Sequence, residues 1–156
     1  MLLAAARWRA PALLAGLPVP WLMAAGFVLV SVVVEVLHQR GLGDLLASVV
    51  PDGTGSAALF GLAGTGALAA NITNNLPAYL VLEPVAADAA PRLMALLVGV
   101  NAGPLITPWA SLATLLWLQR CRTAGIVVPW RWLVPAGTAC AVLAVAAGAG
   151  ALALTA

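Results

Sequence analysis

Apolar residues run in long, unalternating stretches, and polar residues interrupt them in two places. Runs such as Phe27-Val28-Leu29-Val30 and Ala141-Val142-Leu143-Ala144-Val145 carry no polar partner on a second face. A membrane β-strand would need in/out alternation, so the pattern predicts helices. A basic flank occupies residues 1–17, with Arg7 and Arg9. A first span follows over 18–37, entered through Pro18 and Pro20, where a missing N–H has no partner to lose. Residues 42–50 are too short to cross and carry Asp44, so they read as an interfacial helix. Ser56 to Ala70 is apolar and rich in small residues, and stops at Asn71-Ile72-Thr73-Asn74-Asn75. The apolar piece after it, Leu76 to Val85, rises about 15 Å, roughly half a hydrocarbon core. A re-entrant hairpin over 55–85 with its tip at 71–75 satisfies that length. Residues 92–119 are long enough to cross but are broken at 101–108, where Gly103, Pro104 and Pro108 fall. A loop over 120–131 and a last span over 132–156 complete the chain.

An irregular backbone is tolerated at bilayer depth only where it is buried in protein or faces an aqueous cavity. Two such breaks close together are the pattern of a secondary carrier's binding site. The hairpin tip offers Asn71, Thr73, Asn74 and Asn75; the second break offers Asn101, Gly103, Thr107, Pro108 and Ser111. Carboxamides and hydroxyls both donate and accept, so they suit a small cation or a hydroxylated solute. A capped turn would explain one Asn, but three Asn and a Thr in five residues exceed it. The bland alternative for the second break is a proline kink whose hydroxyls bond back to their own helix.

Composition agrees with a lipid-facing surface. The 156 residues are 63% hydrophobic and 8% charged, with mean hydropathy +1.07, against about 25% charged in a soluble domain. The class is an all-α integral membrane protein. The length leaves room for four or five membrane elements, which is one repeat of a carrier rather than two. Net charge is +2, too little for a nucleic-acid partner, so none is expected. The basic residues, all Arg, speak to topology. Arg7, Arg9, Arg120, Arg122 and Arg131 fall on one side of the arrangement, Arg40 and Arg92 on the other. The positive-inside rule then puts the N-terminus in the cytoplasm and the C-terminus in the periplasm of a bacterial inner membrane. The apolar start does not read as a removable signal peptide.

Little else in the chain carries chemistry. Glu35 and Glu83 are the carboxylates nearest the apolar segments, and both read as interfacial; Asp88 and Arg92 read as an exposed pair. Cys121 and Cys140 have neither a redox nor a zinc spacing. Walker A, dinucleotide-binding and zinc-protease motifs are missing, so no enzyme activity, metal or cofactor is expected.

The stretches Asn71-Ile72-Thr73-Asn74-Asn75-Leu76-Pro77-Ala78-Tyr79-Leu80 and Gly99-Val100-Asn101-Ala102-Gly103-Pro104-Leu105-Ile106-Thr107-Pro108-Trp109, continuing to Trp117, resemble the C-terminal half of the arsenite permease family. That family belongs to the ion transporter superfamily. The resemblance covers about residues 20–155. It implies one inverted repeat of a carrier, with a re-entrant hairpin and an unwound helix meeting at the midplane. It also implies arsenite or antimonite efflux, driven by the membrane potential or by an arsenite-stimulated ATPase partner. The pairing partner would be the N-terminal repeat or a second copy. The Thr73-Asn74-Asn75 sequence departs from the Ser-Asn-Thr pattern of the sodium-coupled relatives. The remaining alternatives are a sodium/proton antiporter or citrate/dicarboxylate transporter of the same superfamily, and a non-transporting membrane fragment or accessory subunit.

Overall fold

The computed structural model describes residues 21–155. The basic flank expected over 1–17, and the start of the first span, lie outside the described residues. Seven α-helices and no strand occur among those described. They are α1 (Trp21–Leu37), α2 (Gly43–Val49), α3 (Ser56–Thr73), α4 (Asn75–Ala86), α5 (Ala90–Ala102), α6 (Leu112–Thr123) and α7 (Trp130–Thr155).

Local chemistry explains where each helix ends. A π-helical turn, His38–Leu42, joins α1 to α2, and Gly41 at φ 99° makes the kink. Glycine meets no steric penalty there. Pro51 follows α2 and Gly53 turns the chain at φ 86°. Pro77 sits in the first turn of α4, whose N–H groups lack intrahelical partners in any case. The end of α6 is a Schellman motif. Ile126 N–H donates to Cys121 O at 2.8 Å and Gly125 N–H to Arg122 O at 3.0 Å, with Gly125 at φ 73°. Arg120 and Arg122 lie in that last turn, where a cation complements the helix dipole.

Helices α3, α5 and α7 form the centre, and α4 packs on α3 and α5. One apolar cluster joins Leu62 and Ala70 of α3, Leu82 and Ala86 of α4, and Leu96 and Val100 of α5. A second joins Leu59 and Ala63 to Ala95 and to Ala149 of α7. Small residues let the backbones touch. A Cβ on Gly99 would fall inside the carbonyl of Ala63, and one on Gly103 would lie 2.5 Å from Ala67 Cα. The pairs 63/67 and 99/103 repeat every four residues, the small-xxx-small geometry by which membrane helices approach closely.

Helices α3 and α7 are each long and apolar enough to cross a membrane. At 18 residues α3 rises about 27 Å, and α4, at 12, about 18 Å. Large apolar side chains on α1 and α7, Leu22, Leu29, Leu143 and Leu154 among them, are exposed. Lipid or another chain segment suits such surface better than water does.

Arg92 departs from expectation. It is 1% exposed, the largest fully buried side chain among those described. Its Nε donates to Asp88 Oδ1 at 2.8 Å. One terminal nitrogen donates to Pro51 O at 2.7 Å and Gly53 O at 3.0 Å. The other donates to Val85 O at 2.9 Å. Only Asp88 is exposed as foreseen, at 65%. The guanidinium ties three segments together because its planar fork can serve several carbonyls at once.

Candidate functional site

The two polar tracts meet. Helix α3 continues through Asn71 and Thr73, so the first break is narrower than 71–75: Asn74 alone leaves the helical region, at φ 132° and ψ 157°. That corner of backbone space is essentially glycine's own and costs about 1–3 kcal/mol for another residue. The second break runs from Gly103 to Ser111, later than the expected 101–108. Gly103–Leu105 and Pro108–Ala110 form 3₁₀ turns. Thr107 between them is extended, at φ −124° and ψ 141°, as a residue before proline tends to be.

Asn71 is the tie between the breaks. Its Nδ2 donates to Ala67 O of its own helix and to Gly103 O, both at 2.8 Å. Its Oδ1 accepts from Thr107 Oγ1 at 2.6 Å. Trp109 Nε1 donates to the Asn71 carbonyl at 2.8 Å, and Asn74 Nδ2 donates to the Trp109 carbonyl at 3.0 Å. Residues 67–74 and 103–109, remote from each other in sequence, therefore form one network. Both N–H donors of Asn71 are used, so it holds the site together rather than presenting donors to a ligand.

The other candidates divide. Pro108 is buried beneath the break. Gly103 contributes its carbonyl, and its missing Cβ permits the approach of α3. Thr73 bonds back to Ala69 O at 3.0 Å. Asn101 is exposed within α5 and donates only to Leu97 O of that helix, at 2.8 Å. Ser111 caps α6 by accepting from Ala113 N–H at 3.2 Å. Asn75 opens α4 with no side-chain hydrogen bond among the described residues. Trp109 was not among the expected site residues. Its place inside a Gly- and Pro-rich break was the only signal of it.

What remains open for a ligand is uncharged. Asn74 keeps its Oδ1 and one N–H, Asn75 its whole carboxamide, and Thr73 and Thr107 their oxygen lone pairs. Thr73 and Asn74 face a cavity of about 160 Å³ shared with Gly26, Val30, Pro77 and Leu112. Among the described residues no charged one lines it. Among the described residues no three His, Cys, Asp or Glu gather to hold a metal. Cys121 and Cys140 lie on α6 and α7 as free thiols. Glu35 accepts from Gln39 Nε2 at 3.0 Å on an exposed face of α1.

Comparison with known proteins gives one consistent answer. The family model described as arsenical pump membrane protein matches residues 3–149. An arsenical pump membrane protein of Escherichia coli is 29% identical over 128 residues, 76% of this chain and 30% of the relative. One from Yersinia enterocolitica is 30% identical over the same shares. One from Escherichia coli strain K12 is 31% identical over 132 residues, again 76% and 30%. The matched segment thus spans about a third of those relatives' length. No solved structure matches the chain.

Proposed function

We propose that this chain, which belongs to the arsenical pump membrane protein family, supplies one half of the substrate site of a carrier that exports arsenite and antimonite. The paired breaks carry the reading, with Asn74, Asn75, Thr73 and Thr107 as the groups that meet solute. Trivalent arsenic near neutral pH is mostly an uncharged trihydroxide. A cavity of about 160 Å³ corresponds to roughly five water volumes, room for a solute of a few heavy atoms. Its walls offer the hydroxyl-bearing Thr73 and the amide-bearing Asn74 and, among the described residues, no charge to compensate a buried carboxylate, which would be costly to hold unpaired. That favours a neutral hydroxylated solute over citrate or a dicarboxylate.

The chain acts as the C-terminal repeat, α3–α4 being the re-entrant hairpin and α5–α6 the unwound span. The hairpin and the broken helix move as one body, because Asn71 and Trp109 lock them. The exposed apolar faces of α1 and α7 meet lipid and the rest of the carrier, either its N-terminal repeat or a second copy. The membrane potential or an arsenite-stimulated ATPase supplies the drive. The charge distribution along the sequence supports an N-terminus in the cytoplasm and a C-terminus in the periplasm.

The test is arsenite resistance in a sensitive bacterial strain, with the gene expressed from its own locus together with any in-frame upstream sequence. Asn75→Ala removes a free carboxamide. Asn74→Gly removes another and relaxes the backbone, whereas Asn74→Ala would confuse lost chemistry with added strain. Both informative variants should reach the membrane at normal levels and lose resistance. Resistance at the wild-type level in both would overturn the assignment.

A further inference from the structure

A second cavity adjoins the first. It measures about 500 Å³, and its walls include Pro108, Trp109, Leu115, Gln119, Arg122 and Trp130. Leu115 also belongs to the wall of the 160 Å³ cavity that holds Thr73 and Asn74. Leu115 therefore lies in the wall of both cavities, the larger being termed the outer chamber and the smaller the inner one. Trp109, whose indole N–H donates to the Asn71 carbonyl, is also a residue of the outer chamber's wall.

The two chambers differ in their polar groups. The outer chamber is lined by Arg122 and Gln119 together with Trp109 and Trp130. Among the described residues Arg122 has no carboxylate partner; the one ion pair there is Arg92 with Asp88. Its N–H groups are donors suited to the oxygens of a solute. The inner chamber has only a hydroxyl and a carboxamide.

We propose that the outer chamber is the access vestibule of the inner site, that Leu115 is the partition a solute passes, and that Arg122 and Gln119 receive it. The solute class is a small, uncharged, hydroxylated molecule reaching the inner cavity from the membrane face on which Arg122 lies. This rests on the carrier reading above, but its test needs no transported substrate.

The experiment uses the full chain in membrane vesicles, with Cys121→Ser and Cys140→Ser as background. Thr73→Cys places a reporter in the inner cavity, where the native hydroxyl bonds only locally. Thr123→Cys, on the exposed end of α6, reports the face carrying Arg122. Membrane-impermeant methanethiosulfonate reagents, one anionic and one cationic, are the probes. Thr73→Cys should react from the same face as Thr123→Cys. Leu115→Trp should slow that reaction several-fold and Leu115→Ala should quicken it, with the Thr123→Cys rate unchanged in both. Arg122→Gln should lower the anionic-to-cationic rate ratio at Thr73→Cys by about threefold, the effect of one partly screened charge. Reaction from the opposite face only, no reaction from either, or indifference to both Leu115 variants would overturn the proposal. If labelling behaves as expected while Asn75→Ala and Asn74→Gly retain arsenite resistance, the route stands and the substrate assignment falls. Loss of resistance without dependence of labelling on Leu115 separates them the other way.

Discussion

Replacing Asn71 with Ala should uncouple the two breaks, and the size of the effect can be worked out. The substitution deletes three hydrogen bonds, to Ala67 O, to Gly103 O and from Thr107 Oγ1. At about 1 kcal/mol net for each bond the loss is about 3 kcal/mol. Interhelical bonds inside membrane proteins average nearer 0.6 kcal/mol, which gives about 2 kcal/mol. The expected destabilisation lies between these figures. Two of the three bonds cross from one break to the other, so the diagnostic quantity is a coupling. In a double-mutant cycle, Thr107→Val removes the hydroxyl that donates to Asn71 and makes no other hydrogen bond in the network. The coupling between Asn71→Ala and Thr107→Val should be about 0.6–1 kcal/mol. Reversible unfolding in mixed micelles titrated with dodecyl sulfate, followed by circular dichroism, measures it. Asn101→Ala is the control, since that amide bonds only within its own helix and is exposed; it should change stability by less than about 0.5 kcal/mol. Additivity within about 0.3 kcal/mol, or an Asn101 effect as large as that of Asn71, would refute the assignment of Asn71 as the tie.

Two further substitutions probe what holds the breaks in register. Gly99→Val should prevent close approach of α3 and α5, because even a Cβ there overlaps the Ala63 carbonyl; a loss of about 3 kcal/mol or more in the same titration is expected, and near-native stability would contradict the packing described. Arg92→Gln should destabilise by about 2–4 kcal/mol, since bonds made by a charged donor to the Pro51, Gly53 and Val85 carbonyls are lost. Asp88→Ala should fall below about 1 kcal/mol because Asp88 is 65% exposed. Equal effects at the two positions would mean that the ion pair, not the carbonyl clamp, is what matters.

The legible part of the fold was the part that depends on near neighbours in sequence. Proline cannot donate its N–H, so Pro104 and Pro108 announced that α5 could not run on into α6. The Asn cluster announced the end of α3, though not that its polar residues would stay helical up to Thr73. The family resemblance read from the two tracts agrees with the family match. The illegible part concerned partners far along the chain. Asn71 and Asn101 look alike in sequence, each an Asn at the edge of an apolar run. One spans the breaks and the other bonds only to its own helix, which no local pattern distinguishes. Asp88 and Arg92, spaced four apart, read as a surface pair, and burial of Arg92 depends on carbonyls some forty residues away.

The sequence alone determined that these segments are apolar helices and that each polar tract holds a break, though not its bounds, because hydropathy and the lack of a proline N–H act residue by residue. Tertiary structure decided which polar groups confront one another. Small residues at 63, 67, 99 and 103 bring α3 against α5, and only that contact puts Asn71 within reach of Gly103 and Thr107, and Asn74 within reach of Trp109. A hydrogen bond forms over about 3 Å, so the site exists only once helices distant in sequence have packed to that tolerance.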